Sequence, residues 1–138
     1  MTNGEIIENS RLKGDYFLVR FHVPEICRKA KAGQFVHVRI DHRGDRILRR
    51  PFSIQDCEGD ALSVVYKIVG HGTKRLSELE PGTVCDLMGP LGVPFSEPAP
   101  GVTPVLVAGG YGAAATFMLT KQIPQRGIFL LGARGEGD

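Results

Sequence analysis

The sequence predicts an all-β body followed by the opening of an α/β unit. Three observations carry that prediction. The chain of 138 residues holds 18 glycines and 9 prolines, enough turn formers to divide it into many short segments. Up to about residue 100 those segments alternate apolar and polar side chains, the period of a half-buried strand. Beyond it come a continuous apolar run, a glycine-rich turn, a helix-like stretch and a second apolar run, the pattern of one βαβ unit.

The elements follow in order. "YFLVRFHV" (16–23) alternates with Phe17, Val19, Phe21 and Val23 on one face, and "GQFVHVRI" (33–40) alternates through either Phe35 or Val36. "RPFSIQD" (50–56), "ALSVVYKIV" (61–69) and "TVCDLMGP" (83–90) are the remaining strand signals, separated by turns at "KAKAG", "DHRGD", "CEGD" and "EPG". Short, evenly spaced strands of this kind predict an antiparallel barrel or sandwich. "TKRLSELEPG" (73–82) reads as a short helix with Thr73 as N-cap, Leu76 and Leu79 on one face, and Pro81-Gly82 as the stop. "SEPAPGVTP" (96–104) has the composition of a linker. After it, "VLVAGG" (105–110) and "GIFLLGAR" (127–134) read as buried strands flanking a helix over 111–123.

The expected division is an all-β domain at 1–100 and the incomplete start of an α/β domain at 101–138. A lone βαβ unit cannot cover both faces of its strands. The missing cover is expected from chain not present here or from another chain, and the bare apolar surface would favour association into a homo-oligomer.

A net charge of +2 is too small to point to nucleic acid, and the basic stretch "HRGDRILRR" (42–50) lacks interleaved exposed aromatics. No apolar run approaches the roughly 18 residues of a membrane span, and the polar start has no apolar stretch of signal-peptide type. Cys27, Cys57 and Cys85 are odd in number and show no Cys-x-x-Cys element. They read as reduced, structural or incidental thiols in a cytoplasmic protein, with no metal centre.

Three segments carry chemistry. In "VLVAGGYGAAA", Gly109, Gly110 and Gly112 free backbone N–H groups between a strand and a helix start, which suits either a phosphate or a tight structural turn. In "YKIVGHGTKRL" (66–76), Gly70, Gly72 and Thr73 form a second such place, where amides and a hydroxyl would face outward; the plain alternative is a strand-to-helix turn with a surface His71. In "RRPFSI", Arg50 is a bidentate partner for phosphate. Pro51 suits an opening in the sheet. Phe52 and Ser53 offer an apolar platform and one hydrogen bond to a flat heterocycle.

Taken together, these segments resemble the ferredoxin reductase family. "RRPFSI" resembles its flavin motif, an Arg, any residue, an aromatic or Leu, and a Ser, and "YKIVGHGTKRLSEL" its second flavin segment. "CDLMGPLGVPF" resembles the Gly-Pro-x-Gly loop at the end of its barrel. "VLVAGGYG" and "FLLGAR" resemble the first two strands of its nicotinamide-nucleotide domain. Within the family the chain looks most like the electron-transfer subunits of dihydroorotate dehydrogenase, with subunits of sulfide dehydrogenases, hydrogenases and glutamate synthases nearly as similar. The family often has Tyr where this chain has Phe52, and a proline near Ala114 or Ala115.

The resemblance implies a six-stranded antiparallel Greek-key barrel that binds FAD, and an α/β domain that takes NAD(P)H as substrate. It implies Arg50 on the FAD pyrophosphate. Pro51, Phe52 and Ser53 would lie along the isoalloxazine, with Val65, Tyr66 and Lys67 as the opposite wall and Gly72 and Thr73 at a phosphate. Electrons would pass from NAD(P)H through FAD to an iron–sulfur centre or a partner such as a dihydroorotate dehydrogenase catalytic subunit. A [2Fe–2S] cluster is expected only in a missing C-terminal part or a partner, and no side chain is expected to act as acid or base. The chain alone is expected not to turn over. A flavin-binding or assembly module without turnover is the other reading. Arg134 would meet a 2′-phosphate if NADPH were used, but it does not decide between NADH and NADPH.

Overall fold

The computed structural model of the chain describes residues 1–40 and 48–133. The turn expected at 41–45, and Arg134, lie outside these residues. The elements are β1 (Thr2–Arg11), β2 (Tyr16–His22), α1 (Pro24–Cys27), β3 (Phe35–Arg39), β4 (Arg50–Ser53), β5 (Asp56–Glu58), β6 (Ala61–Lys67), α2 (His71–Ser77), β7 (Val84–Leu91), β8 (Val105–Gly109), α3 (Gly112–Gln122) and β9 (Ile128–Gly132).

β1 to β7 form one antiparallel sheet in the order β4-β3-β7-β1-β2-β6-β5, and β8 and β9 pair in parallel as a second. The sheet has seven strands where the resemblance implies six. The segment expected as one strand over 50–56 is interrupted at Ile54-Gln55, so that β4 pairs with β3 and β5 with β6. Ile54 N–H still donates to Gln34 O (3.0 Å), while Gln55 N–H donates to Ser63 O (2.9 Å). Two adjacent residues thus bond to opposite ends of the sheet order, and β4 itself approaches β6.

Burial follows the alternation. Val19, Phe21 and Val23 of the β2 segment are buried, as are Leu62, Val64 and Tyr66 of β6. In β3 the inward pair is Val36 and Val38, which settles the phase left open by the sequence. α3 adds Met118 and Leu119 to the same core. Lys121 of α3 also reaches Asp56 of β5 at 2.7 Å, tying the βαβ segment to the large sheet. Leu106 of β8 packs against this core, while other apolar side chains of β8 and β9 remain outward: Val107 is 71% exposed and Leu131 59%.

Cys85 of β7 lies in the core, and burial pushes its thiol up to about 11. The native state therefore holds this proton more tightly than the unfolded chain. That contribution to stability is complete below pH 9, the thiol's ordinary value, and is lost as pH rises toward 11. Unfolding titrations of Cys85→Ala and the parent chain should converge over that interval by about 1.4 kcal/mol per pH unit. Parallel curves would remove Cys85 from the alkaline loss of stability.

Candidate functional site

The two arginines of "RRPFSI" are used differently. Arg49 Nη1 donates to Asp86 O at 2.9 Å, and its Nη2 forms an ion pair with the Asp86 carboxylate, fastening the entrance of β4 to β7. Arg50 turns the other way. Its Nη1 donates to Leu48 O, and its guanidinium lies against Gly72 at the start of α2. A Cβ at residue 72 would overlap Arg50 Nε and come within 3.0 Å of its Cζ. Glycine at 72 is what lets the arginine lie there.

Beside Arg50 is a cavity of about 320 Å³, lined by Arg50, Pro51, Phe52 and Ser53 from β4, Val65, Tyr66 and Lys67 from β6, and Thr73 from α2. Gly112 and Tyr111 from the β8–α3 turn, and Val69, complete it. Nine of the twelve residues expected at the site line this one cavity, although they come from four separated stretches of chain. Gly72 abuts it through Arg50. Gly109 and Gly110 do not line it; Gly110 borders a neighbouring cavity of about 440 Å³ with Tyr16, Thr116 and Phe129.

The walls are built by strand alternation. On β4, Phe52 points inward and is 9% exposed, while Pro51 and Ser53 point outward. On β6, Tyr66 points inward while Val65 and Lys67 are half-buried at the rim. Phe52 meets the Tyr66 ring edge-on at 5.9 Å, and Phe17 stacks on its other side at 5.6 Å. Phe52 is therefore part of the floor and not an exposed platform. The Tyr66 hydroxyl donates to Asn9 Oδ1 at 3.1 Å, and burial pushes its phenol well above its ordinary value. Asn9 Nδ2 in turn donates to Leu76 O and Leu79 O, both at 2.8 Å. One side chain thus joins the end of α2 to the floor of the cavity.

Thr73 departs from its expected place. α2 begins at His71 with Gly70 as N-cap, three residues before the N-cap the sequence predicts, so Thr73 sits in the first turn. Its hydroxyl does not face outward. It accepts from the N–H groups of Val69 (2.9 Å) and Gly70 (3.2 Å) and donates to Gly70 O (3.0 Å). Thr73 fixes the turn, and the open approach beside it belongs to Gly72. In the β8–α3 turn Gly110 has φ +51°, a left-handed conformation that suits glycine, and α3 starts at Gly112; contrary to expectation the Gly110 N–H is not free, since it donates to Gly132 O at 3.1 Å, and Gly109 is paired with β9.

Val69, Tyr111 and Asn9 were not picked out from the sequence. Tyr111 had a signal, an aromatic inside a glycine-rich turn. Val69 and Asn9 had none. Among the described residues there is no group of metal-binding side chains, and no helix is long and apolar enough to cross a membrane.

Curated relatives match this chain. The "Dihydroorotate dehydrogenase B (NAD(+)), electron transfer subunit" of Desulforamulus reducens is 40% identical over 109 residues, covering 78% of this chain and 42% of that protein. The chain is a homologue of these electron-transfer subunits. The subunit of the same name from Shouchella clausii is 33% identical over 126 residues, covering 88% of this chain and 49% of its own. The chain thus spans less than half the length of these dihydroorotate dehydrogenase B subunits. No family model matches it. Among solved structures, the NADH-dependent reduced ferredoxin-NADP oxidoreductase, described for flavin-based electron bifurcation, superposes with a TM-score of 0.85 at 30% identity, over 99% of this chain and 50% of that one. The fold is that of the ferredoxin reductase-type proteins.

Proposed function

We propose that this chain forms the flavin-binding part of an NAD(P)H-dependent reductase and acts as the electron-transfer component of a dihydroorotate dehydrogenase. The observation that carries the proposal is the cavity at β4 and β6, where the arginine, the aromatic floor and the bare glycine converge. The names of the relatives support the redox role and a catalytic partner subunit. The same reading divides the chain near residue 100, into a barrel and the start of a nucleotide domain. It closes the barrel with six strands, β4 and β5 acting as one bent strand between β3 and β6. The outward apolar faces of β8 and β9 are left to be covered by a further segment or another chain. A cytoplasmic location, and a [2Fe–2S] cluster held outside this chain, belong to the same proposal.

The residues fit FAD. A cavity of about 320 Å³ takes a planar heterocycle and leaves the rest of the cofactor along the surface. A methyl group at Gly72 would fill the space that Arg50 occupies. Arg50 would exchange Leu48 O for the pyrophosphate, a charged and therefore stronger acceptor. Ser53 would offer its hydroxyl at the ring edge, and Val65 and Lys67 would form the opposite rim. Gly112, at the first turn of α3, would present backbone N–H groups to a phosphate. When bound, FAD would supply the chemistry itself, accepting a hydride from NAD(P)H and releasing electrons singly. The protein's part is to orient the ring, exclude water from one face and balance the phosphate charge.

Titration of the purified chain with FAD, followed by quenching of flavin fluorescence, tests this. Arg50→Ala should weaken binding about 10- to 100-fold, the worth of one charge-assisted pair, with little change in Tm. Failure of the parent chain to bind FAD, or equal binding by Arg50→Ala, would remove the proposal.

A further inference from the structure

The aromatic platform expected in the cavity at β4 and β6 is not open to a ligand. Three aromatic residues line that cavity. Phe52 and Tyr66 are buried and meet each other edge-on in the floor. The third is Tyr111, which comes from the β8–α3 turn. It is 56% exposed, more than any other Phe or Tyr among the described residues. Its backbone is fixed: φ is −66° and ψ −10°, and its carbonyl accepts from Ala114 N–H at 3.1 Å. Its side chain is not. Among the described residues no hydrogen bond, ion pair or ring contact holds it. The space beside it is open, since a Cβ at Gly112 would meet nothing within 4 Å.

The ring also stands on a boundary. The cavity of about 320 Å³ and its neighbour of about 440 Å³ share two lining residues, Val65 of β6 and Tyr111. The neighbour is lined by Tyr16, Phe117 and Phe129, among others, and by no charged side chain. We propose that Tyr111 contacts the cofactor directly, its ring stacking on the isoalloxazine of FAD from the α3 side of the cavity while β4 and β6 hold the other side. This rests on the flavin reading and adds to it the exposed aromatic face that Phe52 does not supply. Stacking asks for a flat surface and no directional bond, which suits a ring whose hydroxyl has no partner among the described residues. It would shield the heterocycle from water on the side that the sheet leaves open. With nothing tying it, the ring can withdraw toward the neighbouring apolar cavity when another molecule needs the same face.

The test loads the whole chain with FAD, follows binding by flavin fluorescence and reads the access of iodide to the bound flavin. In the parent chain the bound flavin should resist iodide better than free FAD does. Tyr111→Ala should weaken FAD binding about 5- to 150-fold, the worth of one aromatic ring stacked on a base. It should also open the bound flavin to iodide, with Tm unchanged. Tyr111→Phe should keep the affinity and the protection of the parent, because the ring and not the hydroxyl makes the contact. A side chain that served the turn alone would leave iodide access unchanged in both variants. If the parent chain takes up no FAD, the flavin reading falls and Tyr111 falls with it. If the parent binds FAD and Tyr111→Ala matches it in affinity and iodide access, this inference alone is overturned. A parent flavin as open to iodide as free FAD overturns it too, so a variant that fails to fold does not shelter it.

Discussion

Phe21→Ala should cost about 3–5 kcal/mol of unfolding free energy, among the largest losses expected from any single truncation in this chain. Phe21 is fully buried and heads the largest side chains of the core. It lies opposite Ile6 on β1 and Leu62 on β6, both also fully buried. Gly4 stands close by: a Cβ there would be 3.5 Å from Phe21 Cβ and 2.8 Å from Leu87 Cδ1. The ring therefore fills the space where three strands meet, and close packing on all sides leaves no route for neighbours to collapse into the cavity. Urea unfolding, read by circular dichroism, measures the loss. Phe21→Leu is the control and should cost less than about 1.5 kcal/mol, since most of the volume is kept. A cost below about 1 kcal/mol for the alanine variant would mean that this centre is loosely packed and that the sheet is held elsewhere.

The same region shows what a sequence conveys and what it conceals. β2 and β6 were legible because every second residue is a large apolar side chain. β1 was not. Its inward positions are Gly4 and Ile6, and a strand whose buried face is one glycine and one isoleucine has almost no period to detect. Gly4 is there because Leu87 needs the room, a demand set by a residue 83 positions away. The break between β4 and β5 was hidden because the two halves choose different partners. Asp56 and Cys57 fold back on β6 in a tight hairpin while Arg50–Ser53 pair with β3, and no turn residue between them marks the change. The cavity was more legible than the sheet, because arginine before proline and glycine before a helix have few structural uses. Its limits show at Thr73, where the residue type was read correctly and the direction of the hydroxyl was not. Bonds to Val69 and Gly70 claimed it first.

Asn9 is the clearest case of function without a motif, and its replacement is the second large effect expected. Its amide donates to the Leu76 and Leu79 carbonyls, and its carbonyl accepts from Tyr66, residues 57 to 70 positions distant. Asn9→Ala removes this partner from the Leu79 carbonyl, just beyond α2, and from the partly buried Tyr66 hydroxyl, while Leu76 O keeps the Leu79 N–H. At about 1 kcal/mol or more for each group left unsatisfied, the loss should reach about 2–4 kcal/mol. Tyr66→Phe removes only one of the three bonds and should cost about 1 kcal/mol. Asn9→Asp separates geometry from bonding. It keeps an acceptor for Tyr66 but sets a carboxylate oxygen against two carbonyl oxygens, so it should be at least as damaging as alanine. Because Tyr66 carries Phe52 and Phe17 on its two sides, loosening it should also weaken FAD binding in the quenching titration, without removing any residue that lines the cavity. Urea unfolding of the three variants beside the parent chain decides the matter. If Asn9→Asp proved as stable as the parent, the α2 carbonyls would not depend on the amide. The cavity floor would then have to be held by the aromatic contacts alone.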